Sequence, residues 1–137
     1  MAKPVDKGQY TAFLKNGGEH EACGSEAIAG KRYNAAVTNY SIAIINYLDA
    51  LSVNRFGKDL SSGNHEAAPS DLLRSLNGAG ITDFKGLAVE CGAVLRLKNL
   101  ASYQSKEINS KDATQARKIA QKVKSYVEDR IDRKVGA

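Results

Sequence analysis

The chain of 137 residues carries 20 Lys and Arg against 15 Asp and Glu, a formal charge of +5 at pH 7, with six Tyr, three Phe and no Trp. That length suffices for one domain with its own core and calls for no metal or disulfide staple. The most apolar stretch, "YSIAIINYLDAL", is interrupted by Asn46 and Asp49, which excludes a membrane span of roughly 20 apolar residues, and "MAKPVDKGQY" lacks the apolar run of a secretory signal.

These features predict a soluble, cytoplasmic protein of one domain over residues 1–137, with its core in about 7–133. The positive balance suits an anionic partner: nucleic acid, a nucleotide or an acidic protein. Few aromatics, two Pro and segments rich in Ala, Leu, Lys, Ile and Val favour helices over sheet.

From about Gly8 to Ala29, Tyr10, Phe13, Leu14, Ala22, Ala27 and Ile28 predict a first helix. Gly17, Gly18 and Gly24 weaken it by about 0.5 to 1 kcal/mol each, so a bend or a close helix contact is expected there. Gly30-Lys31-Arg32 supplies a C-cap glycine and a short turn. A second helix over about Tyr33 to Val53 repeats Ala36, Val37, Tyr40, Ile44, Tyr47, Leu48 and Leu51 at spacings of three and four. Apolar residues on several of its faces place it at the centre. The stretch from about Asn54 to Asn64 has turn residues and no period, and reads as a loop.

A short helix from Glu66 or Pro69 to Leu76 turns Leu72, Leu73 and Leu76 inward, and "NGAG" ends it. Thr82 is the expected N-cap of a fourth helix carrying Phe84, Leu87, Ala88, Cys91, Val94, Leu95 and Ala101. "RLKNLASY", Arg96 to Tyr103, is its C-terminal part. After "QSKEIN", Ser110 is the expected N-cap of the last helix, and Asp112 in the first turn favours the dipole. Its apolar face is Ala113, Ala116, Ile119, Ala120, Val123, Tyr126, Val127 and Ile131. The predicted fold is therefore all-α, an antiparallel up-and-down bundle of four long helices with one short inserted helix. Strands have no clear place in it.

The chemical inventory is sparse. His20 and His65 are the only histidines, and with Cys23 and Cys91 they lack the spacing of a zinc site. No metal or cofactor is expected. Both cysteines read as reduced core residues, His20 as a solvated side chain and His65 as part of a turn before a short helix. Phosphate loops, nucleophile elbows and zincin motifs are absent. The cations of the last helix, Lys111, Arg117, Lys118, Lys122, Lys124, Arg130, Arg133 and Lys134, alternate with carboxylates, a solvated face or a salt-sensitive phosphate track.

Three phrases go further: "GKRYNAAVTNYSIAIINYLDAL", then "HEAAPSDLLRSL" as a His-led short helix after a variable loop, then "VLRLKNLASYQSKEINSKDATQARKIAQKVKSYV". In this order, over about Lys7 to Arg133, the chain resembles the HEPN domains, small prokaryotic all-α proteins. That resemblance implies a homodimer whose helices meet near the polar helix end. It also implies a partner of the minimal nucleotidyltransferase class in a toxin–antitoxin-like pair, able to adenylylate a Tyr that here would be Tyr103.

Where active, the family cleaves RNA without metal, using an Arg and a His five or six residues later. Aligned on Lys98-Asn99, this chain offers Lys for Arg and Tyr103 for His; aligned on Arg96, it again offers no His. A phenol with an ordinary pKa of about 10 is a poor base at neutral pH. The expectation is a noncatalytic nucleotide- or RNA-binding module without catalytic residues, with Arg96, Lys98, Asn99 and Tyr103 lining a phosphate or nucleotide site. One alternative is a structural dimeric interaction protein in which Asn99 bonds across an interface and Tyr103 packs under the last helix. Another is a divergent metal-independent ribonuclease using Lys98 and Tyr103.

Overall fold

The computed structural model describes residues 3–60, 64–103 and 107–135, with only the backbone of residues 3 and 101–103. Its α-helices are α1 (Tyr10–Ala29), α2 (Tyr33–Phe56), α3 (Ala68–Gly78), α4 (Lys85–Tyr103) and α5 (Ser110–Arg130). The architecture is the all-α bundle of four long helices and one short one. Helix α2 runs antiparallel to α1, α4 runs antiparallel to α5, and the C-terminal ends of α2 and α5 meet. No helix of the described residues is long and apolar enough to cross a membrane.

Helix α2 forms because its β-branched and small residues come without Pro or Gly over six turns, and it takes the centre because it has no polar face. From Ala36 to Asn54 almost every side chain is buried, including Tyr40, Ile44, Tyr47, Leu48, Leu51 and Val53. Helices α1, α3, α4 and α5 then each need only one apolar stripe.

Its contact with α1 depends on missing side chains. A Cβ built on Gly17 would lie 2.5 Å from the Tyr47 ring, and one on Gly24 would lie 2.8 Å from the Tyr40 ring. The two glycines and the two tyrosines are both seven residues apart, so each ring fills one notch. The hydroxyls are satisfied in place: Tyr47 donates to the Glu21 carboxylate, and Tyr40 shares a 2.9 Å hydrogen bond with Ser25. Burial, and then the bond to Glu21, hold the Tyr47 phenol far above its ordinary value. Of the two outcomes open for these glycines, the structure has the close contact.

Several local expectations are corrected. Gly30 is the C-cap of α1 as expected, but the left-handed residue that follows it is Lys31, at φ 58°. Arg32 N–H bonds Ala27 C=O at 2.8 Å and Lys31 N–H bonds Ile28 C=O at 2.9 Å, a Schellman closure one residue later than the glycine. Helix α2 also outruns its predicted end, stopping at Gly57 in the αL region at φ 65°. Asn54 is thus buried rather than in a loop: its amide donates to Asp132 C=O at 3.0 Å and accepts from Asp132 N–H at 2.8 Å. A two-residue ladder, unforeseen, pairs β1 (Lys3–Pro4) with β2 (Lys58–Asp59).

Phe84, not Thr82, opens α4, its carbonyl accepting from Ala88 N–H at 2.8 Å. At α5 the cap is Asn109 rather than Ser110, and Asp112 returns the bond in a capping box. The expected core residues of α2, α4 and α5 are buried or half-buried; the Ala101 side chain lies outside the described residues. On α1, Ala22 and Cys23 face solvent. Cys91 is buried, which pushes its thiol up to about 12. His20 is not simply solvated, since its Nδ1 meets Asn39 Oδ1 at 3.1 Å.

Gly24→Ala is expected to cost about 1 to 3 kcal/mol by overpacking against Tyr40, beyond any helix-propensity gain. Gly18→Ala, with nothing within 4 Å of the added carbon, should instead stabilise by about 0.5 to 1 kcal/mol. Urea melts of both variants check the pair of signs.

Candidate functional site

On a helix each residue turns the side-chain direction by about 100°, so Arg96 and Lys98 cannot share a face. The structure separates them. Lys98 and Asn99, both half-buried, line a groove of about 290 Å³ with Leu95 of α4 and with Asn64, His65 and Glu66. Those last residues sit in and before the 3-10 turn His65–Ala67 that leads into α3. Asn64 caps that turn, its Oδ1 accepting from Glu66 N–H at 3.0 Å. Asn99 Nδ2 donates to the Glu66 carboxylate, tying the turn to α4.

Arg96 lies in the neighbouring groove, about 380 Å³, between α3 and α4. Lys85 and Val89 of α4 and Leu73 of α3 line it too, and Glu66 stands between the two grooves. The sequence-derived set is therefore brought together only in part: Lys98 with Asn99 in one groove, Arg96 in the next. The Tyr103 side chain lies outside the described residues. Asn64, His65 and Glu66 were absent from that set. Their signal was the "HEAAPSDLLRSL" phrase, legible as a short helix but not as a neighbour of α4.

The first groove combines one cation, two amides, one imidazole and one carboxylate. Lys98 can neutralise a phosphate, while Glu66 and the amides offer partners for hydroxyl and amine groups. Its volume is at the lower end of the range for small-molecule sites. Among the described residues no cluster of His, Cys, Asp and Glu could hold a metal ion.

The far side of α4 is built differently. Along the α4–α5 seam, Lys122 bonds both Glu90 oxygens at 3.1 Å, and Arg130 pairs with Asp83 while lying 3.5 Å over the Tyr126 ring. Tyr126 stacks at 5.1 Å on buried Phe84 and its hydroxyl donates to Asp83 at 2.7 Å. The groove over this seam, about 610 Å³, mixes Lys118 and Lys122 with Glu90 and Asp129. Its charges largely answer one another.

No protein-family model matches the chain, and no curated protein or solved structure is significantly similar to it.

The Tyr126 hydroxyl and then the Arg130 guanidinium hold the Asp83 carboxyl below its ordinary value. A depressed folded-state pKa stabilises fully above the unfolded value, about 3.9, and that contribution is lost as pH falls through the folded value. Asp83→Asn should therefore lower Tm at pH 7, and the gap to wild type should close below about pH 4. A gap that stays constant to pH 2 in thermal melts would contradict this assignment.

Proposed function

We propose that the chain is a noncatalytic nucleotide- or RNA-binding module of HEPN type, and that its ligand site is the groove of Lys98, Asn99, Asn64, His65 and Glu66. The observation that carries the reading is the meeting of the Lys98-Asn99 helix end with the His-led turn, two segments both quoted in the family resemblance. Lys98 takes a phosphate. Glu66 would repel a bare phosphate close by but accepts from ribose hydroxyls or base amines, which favours a nucleotide over an inorganic anion. Arg96 belongs to the adjoining groove and contributes at most a more distant positive field.

The same reading includes a homodimer and a minimal nucleotidyltransferase partner in a toxin–antitoxin-like pair, with Tyr103 as the acceptor of an adenylyl group. Its support is the family resemblance of the α4–α5 phrase.

A divergent ribonuclease is a second reading, favoured by one observation: His65 supplies near Lys98 the imidazole that the helix itself lacks. There His65 would take the proton of a ribose 2′-hydroxyl as its oxygen attacks the adjacent phosphorus, and the 5′-oxygen would leave as an alcohol with a proton taken from water, giving a 2′,3′-cyclic phosphate. Metal-independent cleavage that disappears in His65→Ala would establish it over the noncatalytic reading.

Binding of labelled ATP and of a short mixed RNA, at low and moderate salt, tests the main proposal. Lys98→Ala should weaken both by about tenfold or more, the scale of one charge-assisted hydrogen bond. For RNA it should also reduce the slope of log K against log salt by about 0.7. Retention unchanged in the variant would remove Lys98 from any site. Co-expression with an active nucleotidyltransferase should add the mass of one AMP to Tyr103, and none to Tyr103→Phe.

A further inference from the structure

The α3–α4 groove that takes Arg96 has chemistry unlike that of the nucleotide site beside it. Its floor is apolar, with Pro69 and Leu73 from α3 and Ala88 and Val89 from α4, while Ser70 and the Glu66 carboxylate, which already accepts from Asn99, also line it. Val89 is 65% exposed, the most exposed large hydrophobic side chain of the described residues. A cation stands at each end, Lys85 in the first turn of α4 and Arg96 three turns later. Arg96 reaches back over the floor, its Nη1 lying 3.3 Å from where a Cβ on Gly92 would be. Among the described residues neither cation has an ion-pair partner within 4.0 Å, whereas Arg74, Lys122 and Arg130 do.

We infer that this groove docks an acidic amphipathic helix of a partner protein, with its apolar face on Val89 and Leu73 and carboxylates at both ends on Lys85 and Arg96. The spacing sets the fit. Eleven residues of α4 separate the cations by about 16 Å, the length of three helical turns, which matches anchors at i, i+4 and i+7 flanked by acidic residues. An apolar floor bracketed by cations selects both for apolar area and against the wrong charge. Nucleic acid fits less well, because no aromatic side chain lines the groove for stacking and its two cations do not form a continuous track. This inference does not depend on the nucleotide site.

The test is selection of displayed helical peptides of about sixteen residues on the full chain, followed by fluorescence polarisation of the winners. Enrichment of apolar triads flanked by Asp or Glu is expected. Val89→Asp should weaken the selected peptides by about tenfold or more, as loss of a central apolar anchor does. Lys85→Glu with Arg96→Glu should slow association, weaken binding and reverse its salt dependence, so that added salt, which weakens binding to the wild type, strengthens what binding remains. Circular dichroism checks that these exposed substitutions leave the helices intact. The inference is overturned by no enrichment, by enrichment of basic peptides, by winners that bind Val89→Asp equally well, or by a wild-type dimer that Val89→Asp dissolves. Loss of RNA binding in the double charge reversal, with peptide binding unchanged, would assign the groove to nucleic acid and likewise overturn it.

Discussion

Between its first and last turns helix α2 gives water only a half-buried stripe of Thr38, Asn39, Ile42 and Asn46, and the rest of the molecule is arranged to cover its other sides. Burying a helix on most sides forces the polar residues there to find a partner inside the protein. Ser41 meets this locally by donating to Val37 C=O at 2.8 Å. The polar residues nearer its C-terminal end reach outward and become clamps. Asp49 accepts from Leu60 N–H at 2.8 Å, Asn54 exchanges two bonds with the backbone N–H and C=O of Asp132, and Arg55 Nε donates to Arg130 C=O at 2.8 Å. A side-chain amide that donates to the C=O and accepts from the N–H of one residue reproduces a strand-like pairing, and it fixes the chain beyond α5 against the core. The end of α2 thus orders both the segment that follows it and the chain at the distant end of α5.

The order has consequences for α4. Because α5 and α2 occupy two of its sides, its remaining surface faces the α3 turn, and the 100° step per residue divides that surface into sectors. Lys98 and Asn99 look toward Asn64–Glu66, Arg96 and Val89 toward α3, and Glu90 toward Lys122 of α5. Glu66, bonded to Asn99, lines both of the first two grooves.

What could be read in the sequence followed from periodicity. The three-and-four spacing of Ala36 to Leu51 and of Ala113 to Ile131 marks helices whatever they pack against, and the lack of a polar face on α2 marks the centre. The caps were harder, since Thr82 and Ser110 have the right chemistry but Phe84 and Asn109 are the residues at which the backbone turns. Cys23 is exposed because Gly24 beside it faces Tyr40, and sequence alone did not say which of the two neighbours takes the inner position. The site was half legible. Lys98 and Asn99 are neighbours in sequence, but their contact with Glu66 spans 33 residues, and no local pattern encodes where a turn will land. The β1–β2 ladder is likewise nonlocal and too short for alternation to reveal.

The cations of α5 show why charge counting alone could not locate a site. Two of them are already engaged: Lys122 with Glu90, and Arg130 with Asp83 and the Tyr126 ring. Exposed pairs of this kind add little to stability, so they set the register of α4 against α5 more than its strength. The strength comes from Phe84, Val94, Ile119 and Val123, buried along the same seam. Among the described residues the other six have no ion-pair partner, and Lys111, Lys118, Lys124, Arg133 and Lys134 are exposed on or just beyond a helix that also carries Asp112, Glu128 and Asp129, where the field they make is diffuse and screened by salt. Selective recognition requires charge held beside shape. On this molecule that combination occurs on the α3 side of α4, where Lys98 and Arg96 each stand in a groove bounded by a second element.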